Sequence, residues 1–206
     1  DEIRRLELIF SLYRDDSALM RLNRLANLDH PPRELVDILI KTRRFNELTK
    51  GRFDPTVQPL WELYATHFSD PRSDPMGPAA TEIARRIRLV DFRNVDITPQ
   101  RIAFARPGMS ITLNGIAQGY ITDRVVKILR GAGMRDVLVD IGETVALGKH
   151  PEGRPWRVGL ANPRDLERPF LDTELCNEAV ATSGGYGMKF DDEGRFHHLL
   201  NPLNGR

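Results

Sequence analysis

One stretch, residues 110–148 (SITLNGIAQGYITDRVVKILRGAGMRDVLVDIGETVALG), restricts the folds open to this chain more than any other. Ile121, Val125, Ile128 and Leu129 recur at helical spacing and predict one buried helix face. Asn114 is placed to cap that helix, and Gly131 with Gly133 to end it. Val137-Leu138-Val139 reads as a short apolar strand, Gly142 as the turn after it, and a second strand follows. In NGIAQG, Gly115 and Gly119 strip side chains from the helix start. Free N–H groups and the helix dipole there favour an anion such as phosphate. Glycines at a helix start also serve as plain punctuation, so this motif alone decides nothing. GAGMRD at 131–136 resembles part of a dinucleotide fingerprint, but it follows a helix and leads into a strand, the reverse of what that fingerprint requires.

Composition narrows the class further. The chain has 206 residues, enough for one large domain or two small ones. Thirty basic against twenty-nine acidic residues leave a net charge of +1, which gives no argument for nucleic acid. No apolar run approaches membrane-spanning length. Cys176 stands alone, which excludes an internal disulfide and a cysteine-based metal site; it reads as a small buried hydrophobe. The chain begins with Asp1 and shows no signal peptide, and it reads as a processed, trimmed or partly observed product in which a lost targeting segment would not be seen.

Along the chain, residues 1–14 predict a helix with Ile3, Leu6 and Phe10 along one side and Leu8, Ile9 and Leu12 widening it. Ser17 caps a second helix with Leu19, Met20 and Leu22 inward. Pro31-Pro32 opens a third, built on Leu35, Ile38, Leu39 and Phe45 and stopped by Gly51. Asp54 or Thr56 caps a fourth that carries Leu60, Trp61, Leu63 and Tyr64. Residues 69–78 (SDPRSDPMGP) form a surface loop and the one place for a sub-boundary. A helix over 79–88 follows, then strands at 95–97, 101–105, 156–161, 171–175 and 179–181. Residues 186–190 and 195–200 predict a hairpin across DDEG, and nothing remains in the chain to cover it.

The order of motifs is more specific than any one of them. YRDDSALMRLN, GRFDPTVQPLWELY, ITLNGIAQGYITDRV, VLVDIGETVALG, PWRVGLANP, AVATSGGY and HHLLNPLNG together resemble the ApbE-like FAD:protein FMN transferases, in the family's order and over nearly the whole chain. The resemblance implies an α+β fold, with mixed or antiparallel sheet flanked by helices, as one domain over 1–206 with an FAD cleft between two lobes. It implies Mg²⁺-dependent transfer of FMN from FAD to a Thr or Ser hydroxyl of a target flavoprotein, with AMP leaving. A non-catalytic FAD-binding or flavin-delivery protein and a Mg²⁺-dependent FAD pyrophosphatase are the alternatives. Periplasmic location, or membrane anchoring facing the periplasm, is implied by the family alone.

The same resemblance assigns residues. Tyr13 matches the tyrosine that stacks on the flavin, and Arg52, Phe53 and Asp54 match the segment along it; Asp54 serves also as a helix cap. Gly115 falls where a backbone carbonyl meets Mg²⁺. Gln118 stands where the family places Lys or Glu, Thr112 where an Asp contacts FAD, and Asn201 where the His motif has Asp. His198 of HHLLNP matches the base that takes the acceptor's proton, work to which imidazole is suited near neutral pH, and Leu199 sits beside the cofactor. His197 is expected on the other face of the strand, away from the chemistry. Thr182 and Ser183 fit a polar wall of the site, or a simple turn. The family's side-chain Mg²⁺ ligands lie beyond the HHLLNP-like motif, and this sequence ends at Arg206, so residues 1–206 by themselves are expected to bind Mg²⁺ weakly and transfer little FMN.

Overall fold

In the computed structural model, which describes residues 1–163 and 165–206 and all their side chains except those at 166 and 167, helix α1 (Glu2–Phe10) buries Leu6, Ile9 and Phe10. That spacing is one helical stripe. Ile3 and Leu8 stay exposed: the first lies past the core's edge, and the second is about 200° round the helix from Leu6. Helix α2 (Ala18–Leu25) is capped as the sequence predicts. The buried Ser17 hydroxyl accepts from the Met20 N–H at 3.0 Å and donates to the Ser11 carbonyl at 2.6 Å, so it fixes the corner between the two helices.

Strand β1 (Asn27–Asp29) leads to α3 (Arg33–Leu48), whose Leu35, Ile38 and Leu39 are fully buried. Phe45, expected inward, is half exposed and instead meets Phe53 edge-on at 6.3 Å. A 3-10 turn (Pro55–Val57) opens α4 (Gln58–Ser69), and the proline-rich loop leads to α5 (Ala80–Ile87). Strands β2 (Val95–Ile97) and β3 (Arg101–Phe104) close an antiparallel sheet in the order β1-β3-β2, with Ile102 opposite Leu28 and Ile97. Helices α1, α2 and α3 cover this sheet and make the larger core.

Helix α6 (Ala117–Gly131) begins three residues after Asn114. Asn114 is not its cap: a turn intervenes, in which the Leu113 carbonyl accepts from the N–H groups of Ile116 and Ala117 at 2.9 and 2.7 Å. The helix then spans two cores. Ala117, Tyr120 and Ile121 pack on the larger one, while Val125, Val126 and Leu129 pack on strands β4 (Val137–Asp140) and β5 (Thr144–Leu147). Ile128 falls outside this second stripe and is half exposed. Arg124 of α6 reaches Glu2 of α1 at 3.1 Å, and Arg5 reaches Glu34 of α3 at 2.6 Å. Hydrogen bonds from Arg5 and Arg124 hold the Glu2 carboxyl down at about 2.

Strands β6 (Trp156–Asn162) and β7 (Asp165–Leu175) form a separate antiparallel ribbon, longer than the sequence suggested, with register shifts beside Ala161. The last strand, β8 (Ala179–Val180), adds to β5, giving the order β4-β5-β8. Every pairing among the described residues is antiparallel. Cys176 is only half-buried.

The hairpin expected over 186–200 shrinks to one bridge, Lys189 opposite His197, because residues Gly185–Gly187 coil into a 3-10 turn. It is also covered. Phe190 and Phe196 pack on Trp61, Tyr64 and Phe68 of α4. The buried Tyr64 hydroxyl donates to the Gly205 carbonyl at 2.8 Å, and burial pushes its phenol up. No helix among the described residues is long and apolar enough to cross a membrane.

Candidate active site

The approach to α6 is held from two sides. The Asn23 amide of α2 donates to the Ile111 carbonyl and accepts from the Ile111 N–H, both at 2.8 Å. The Thr112 N–H donates to the Pro55 carbonyl at 2.8 Å. These bonds lay residues 111–116 along residues 53–57 and leave Asn114, Gly115 and Gln118 exposed. A Cβ on Gly115 would stand 3.0 Å from Phe53 Cε2, so the glycine lets the phenyl ring lie against the helix approach. On the far side, Gly142 (φ +104°) admits the Gln118 amide, whose Nε2 lies 2.6 Å from where a Cβ would be. Phe53, Thr112, Gly115 and Gln118 thus lie around the start of α6, Phe53 against Gly115 and Gln118 against Gly142.

Asp54 belongs to this cluster but faces inward. Its carboxylate accepts from the N–H groups of Thr56 (2.8 Å) and Phe92 (3.0 Å), from the Thr56 hydroxyl, and from the Asn46 amide at 3.2 Å. The capping role is the one its atoms perform. The Thr112 hydroxyl accepts from the Asn114 N–H at 3.2 Å. Beside Gln118, the Glu143 Oε2 is shielded from solvent without a partner, and burial followed by the nearby Asp140 pushes its carboxyl up.

Tyr13 sits on the corner that Ser17 fixes. Its N–H donates to the Ser11 hydroxyl at 3.0 Å, and the residue is 81% exposed. Neither its ring nor the Arg52 guanidinium contacts a partner among the described residues. The structure therefore does not tie these two to Gly115 and Gln118.

The histidine segment is seated by the aromatic cluster on α4. His198 places Nδ1 3.1 Å from the Met188 carbonyl. A carbonyl only accepts, so Nδ1 carries the proton and Nε2 keeps its lone pair. Leu199 is exposed beside it. Thr182 and Ser183, however, line an open groove of about 510 Å³ with His197, not His198. The His197 Nδ1 is buried there without a partner. His197 and His198 thus lie in different surroundings, and the twist into the 3-10 turn brings Gly185 against the His197 ring.

Among the described residues no group of three or more His, Cys, Asp or Glu could hold a metal ion. Gly115 offers a neutral carbonyl and no carboxylate cage accompanies it.

The chain belongs to the ApbE family, whose description matches residues 1–206. It is 30% identical to an FAD:protein FMN transferase of Treponema pallidum over 97% of this chain and 59% of that protein. It is 29% identical to the Vibrio cholerae protein of the same name over 95% of this chain and 60% of that one. Among solved structures, the Thermotoga maritima ApbE protein superposes with a TM-score of 0.86 at 28% identity, covering 99% of this chain and 67% of its own. The Pseudomonas stutzeri flavinyl transferase ApbE does so at 0.83 and 29% identity, covering 100% and 64%. The chain thus spans about three fifths of the length of the named transferases it matches.

Proposed function

We propose that the full-length protein carries out Mg²⁺-dependent transfer of FMN from FAD to a Thr or Ser hydroxyl of a target flavoprotein, releasing AMP, and that residues 1–206 act as one domain that transfers little FMN by itself. Membership of the ApbE family over residues 1–206 carries this reading. The acceptor oxygen attacks the phosphorus of the FMN half. A new P–O bond forms, the bridging P–O bond to AMP breaks, and the hydroxyl proton passes to Nε2 of His198, the nitrogen left free by the Met188 carbonyl. The exposed α6 approach at Asn114, Gly115 and Gln118 supports a diphosphate subsite, since the N–H groups of Gly115 and Gln118 pair with no described residue and the helix dipole favours negative charge. The unpartnered Tyr13 ring supports a stacking role against the flavin.

The described residues do not by themselves fit a complete Mg²⁺ cage. When bound with the diphosphate the ion would supply charge neutralisation. We extend the proposal to a periplasmic location, or one on a membrane facing the periplasm. Product analysis tests the reading. The full-length protein with FAD, Mg²⁺ and an acceptor flavoprotein should yield acceptor-bound FMN and AMP in equal amounts. Free FMN with AMP would mean a pyrophosphatase, and bound but unconverted FAD a delivery protein.

A further inference from the structure

We infer, resting on the transferase reading above, that Asn23 is a positioning residue for the diphosphate subsite: its side-chain amide stands in for a neighbouring strand and fixes the line along which residues 111–116 enter α6. Ile111 is fully buried and belongs to no strand, so its main-chain N–H and C=O need partners from elsewhere. The Asn23 amide supplies both at once. Its Nδ2 donates to the Ile111 carbonyl and its Oδ1 accepts from the Ile111 N–H, each at 2.8 Å. That reciprocal pair is the exchange made between facing residues of antiparallel strands. A flipped amide would set oxygen against oxygen and N–H against N–H, so one orientation alone serves. Asp lacks the donor, and Gln is one methylene too long.

The support behind this clamp is rigid. Asn23 follows Leu22 on α2, and both Leu19 and Leu22 are fully buried in the larger core. The Ser17 hydroxyl fixes the start of the same helix. From Ile111 the constraint runs forward along the chain. The Thr112 N–H donates to the Pro55 carbonyl, and the buried Leu113 accepts from the N–H groups of Ile116 and Ala117. Residues 111, 112 and 113 are therefore held in turn by Asn23, by Pro55 and by the core, and Asn114 and Gly115 come next. All these bonds are made inside residues 17–117, between groups that already have their partners. A diphosphate held by main-chain N–H groups and a helix dipole takes its position from the backbone. Displacing Ile111 displaces that site, and small displacements of a bound group are costly.

Flavin-fluorescence titration of FAD into the full-length protein tests this, at a temperature where circular dichroism shows each variant folded. Asn23→Asp keeps the shape of the side chain. Ionised, the new carboxylate only accepts, so it serves the Ile111 N–H and repels the Ile111 carbonyl; protonated, its O–H donates and both bonds return. The two bonds favour the acid form and raise its pKa above the ordinary value of about 4. Relative to the parent at the same pH, FAD affinity should be within about twofold below that pKa and fall about tenfold as pH rises through it. Asn23→Gln, which keeps donor and acceptor but adds a methylene, should lose about tenfold at every pH, and it decides the matter where Asn23→Asp does not fold. Tyr13→Ala should cost the same factor in the Asn23→Gln background as in the parent, because the ring subsite is untouched. A variant-to-parent ratio that is flat with pH for Asn23→Asp, parental affinity in Asn23→Gln, or strong coupling to Tyr13→Ala overturns the inference and leaves the transferase reading intact. A parent that binds no FAD overturns both.

Discussion

Asp54→Ala separates two roles that the sequence left together. The carboxylate is 9% exposed and accepts from two buried main-chain donors, Thr56 N–H and Phe92 N–H, at 2.8 and 3.0 Å. It also accepts from the Thr56 hydroxyl and the Asn46 amide. The latter two keep other partners: the Thr56 oxygen also accepts from the Asp91 N–H, and the Asn46 amide also donates to the Phe53 carbonyl. The two main-chain donors have no substitute. Leaving each unsatisfied costs about 1–3 kcal/mol, so the variant should lose about 2–6 kcal/mol, or roughly 10 °C in Tm for a chain of this size. Urea and thermal unfolding measure this directly, with FAD titrated at a temperature where both proteins are folded. A loss under about 1 kcal/mol together with collapsed FAD affinity would refute the capping role and restore the flavin contact.

Three further perturbations have definite signs. Tyr13→Ala should weaken FAD binding about three- to tenfold, the worth of one stacked ring, and leave AMP binding and Tm unchanged because the residue is 81% exposed; equal losses for FAD and AMP would rule out stacking. Glu143→Gln should stabilise the protein near neutral pH. Burial and Asp140 raise the folded carboxyl above its unfolded value, so its stability contribution is present at low pH and lost as pH rises through the folded pKa. Urea midpoints of the two proteins should converge in acid, and parallel pH profiles would refute this. Gly148→Ala should cost about 2–4 kcal/mol, since φ is +53° and a Cβ would stand 2.5 Å from the Arg135 carbonyl oxygen; a neutral result in urea unfolding would mean that this turn relaxes freely.

Much of the architecture was legible because its signals are local. The Ser17 cap, the double proline before α3 and the helix-then-two-strands order at α6 each rest on residues within a few positions of one another. The failures lie where a distant partner decides. Asn114 has the right chemistry for a cap, but the bonds from Asn23 and Pro55 hold the preceding segment extended and defer the helix to Ala117. Phe45 has the right spacing for the core, yet the helix has by then run past the sheet and the ring meets Phe53 instead. Strict side-chain alternation does not run through residues 186–198, which hold one bridge and no regular strand. The seat of His197 had one local signal, Gly185, whose missing side chain clears the space that the ring occupies. The exposed Tyr13 ring and the partnerless Arg52 have no packing signature, and family resemblance was the only guide to them.

The most direct test of the account is the rate of FMN transfer by His198→Ala in the full-length protein at saturating FAD and acceptor. Nε2 of His198 is free to take the acceptor's proton because Nδ1 is committed to the Met188 carbonyl. Its removal should lower kcat about 10²–10⁴-fold while FAD affinity, measured separately by flavin fluorescence, stays within about twofold of the parent. Transfer at the parent's rate, or a loss explained wholly by weaker FAD binding, would contradict the assignment of His198 as the base.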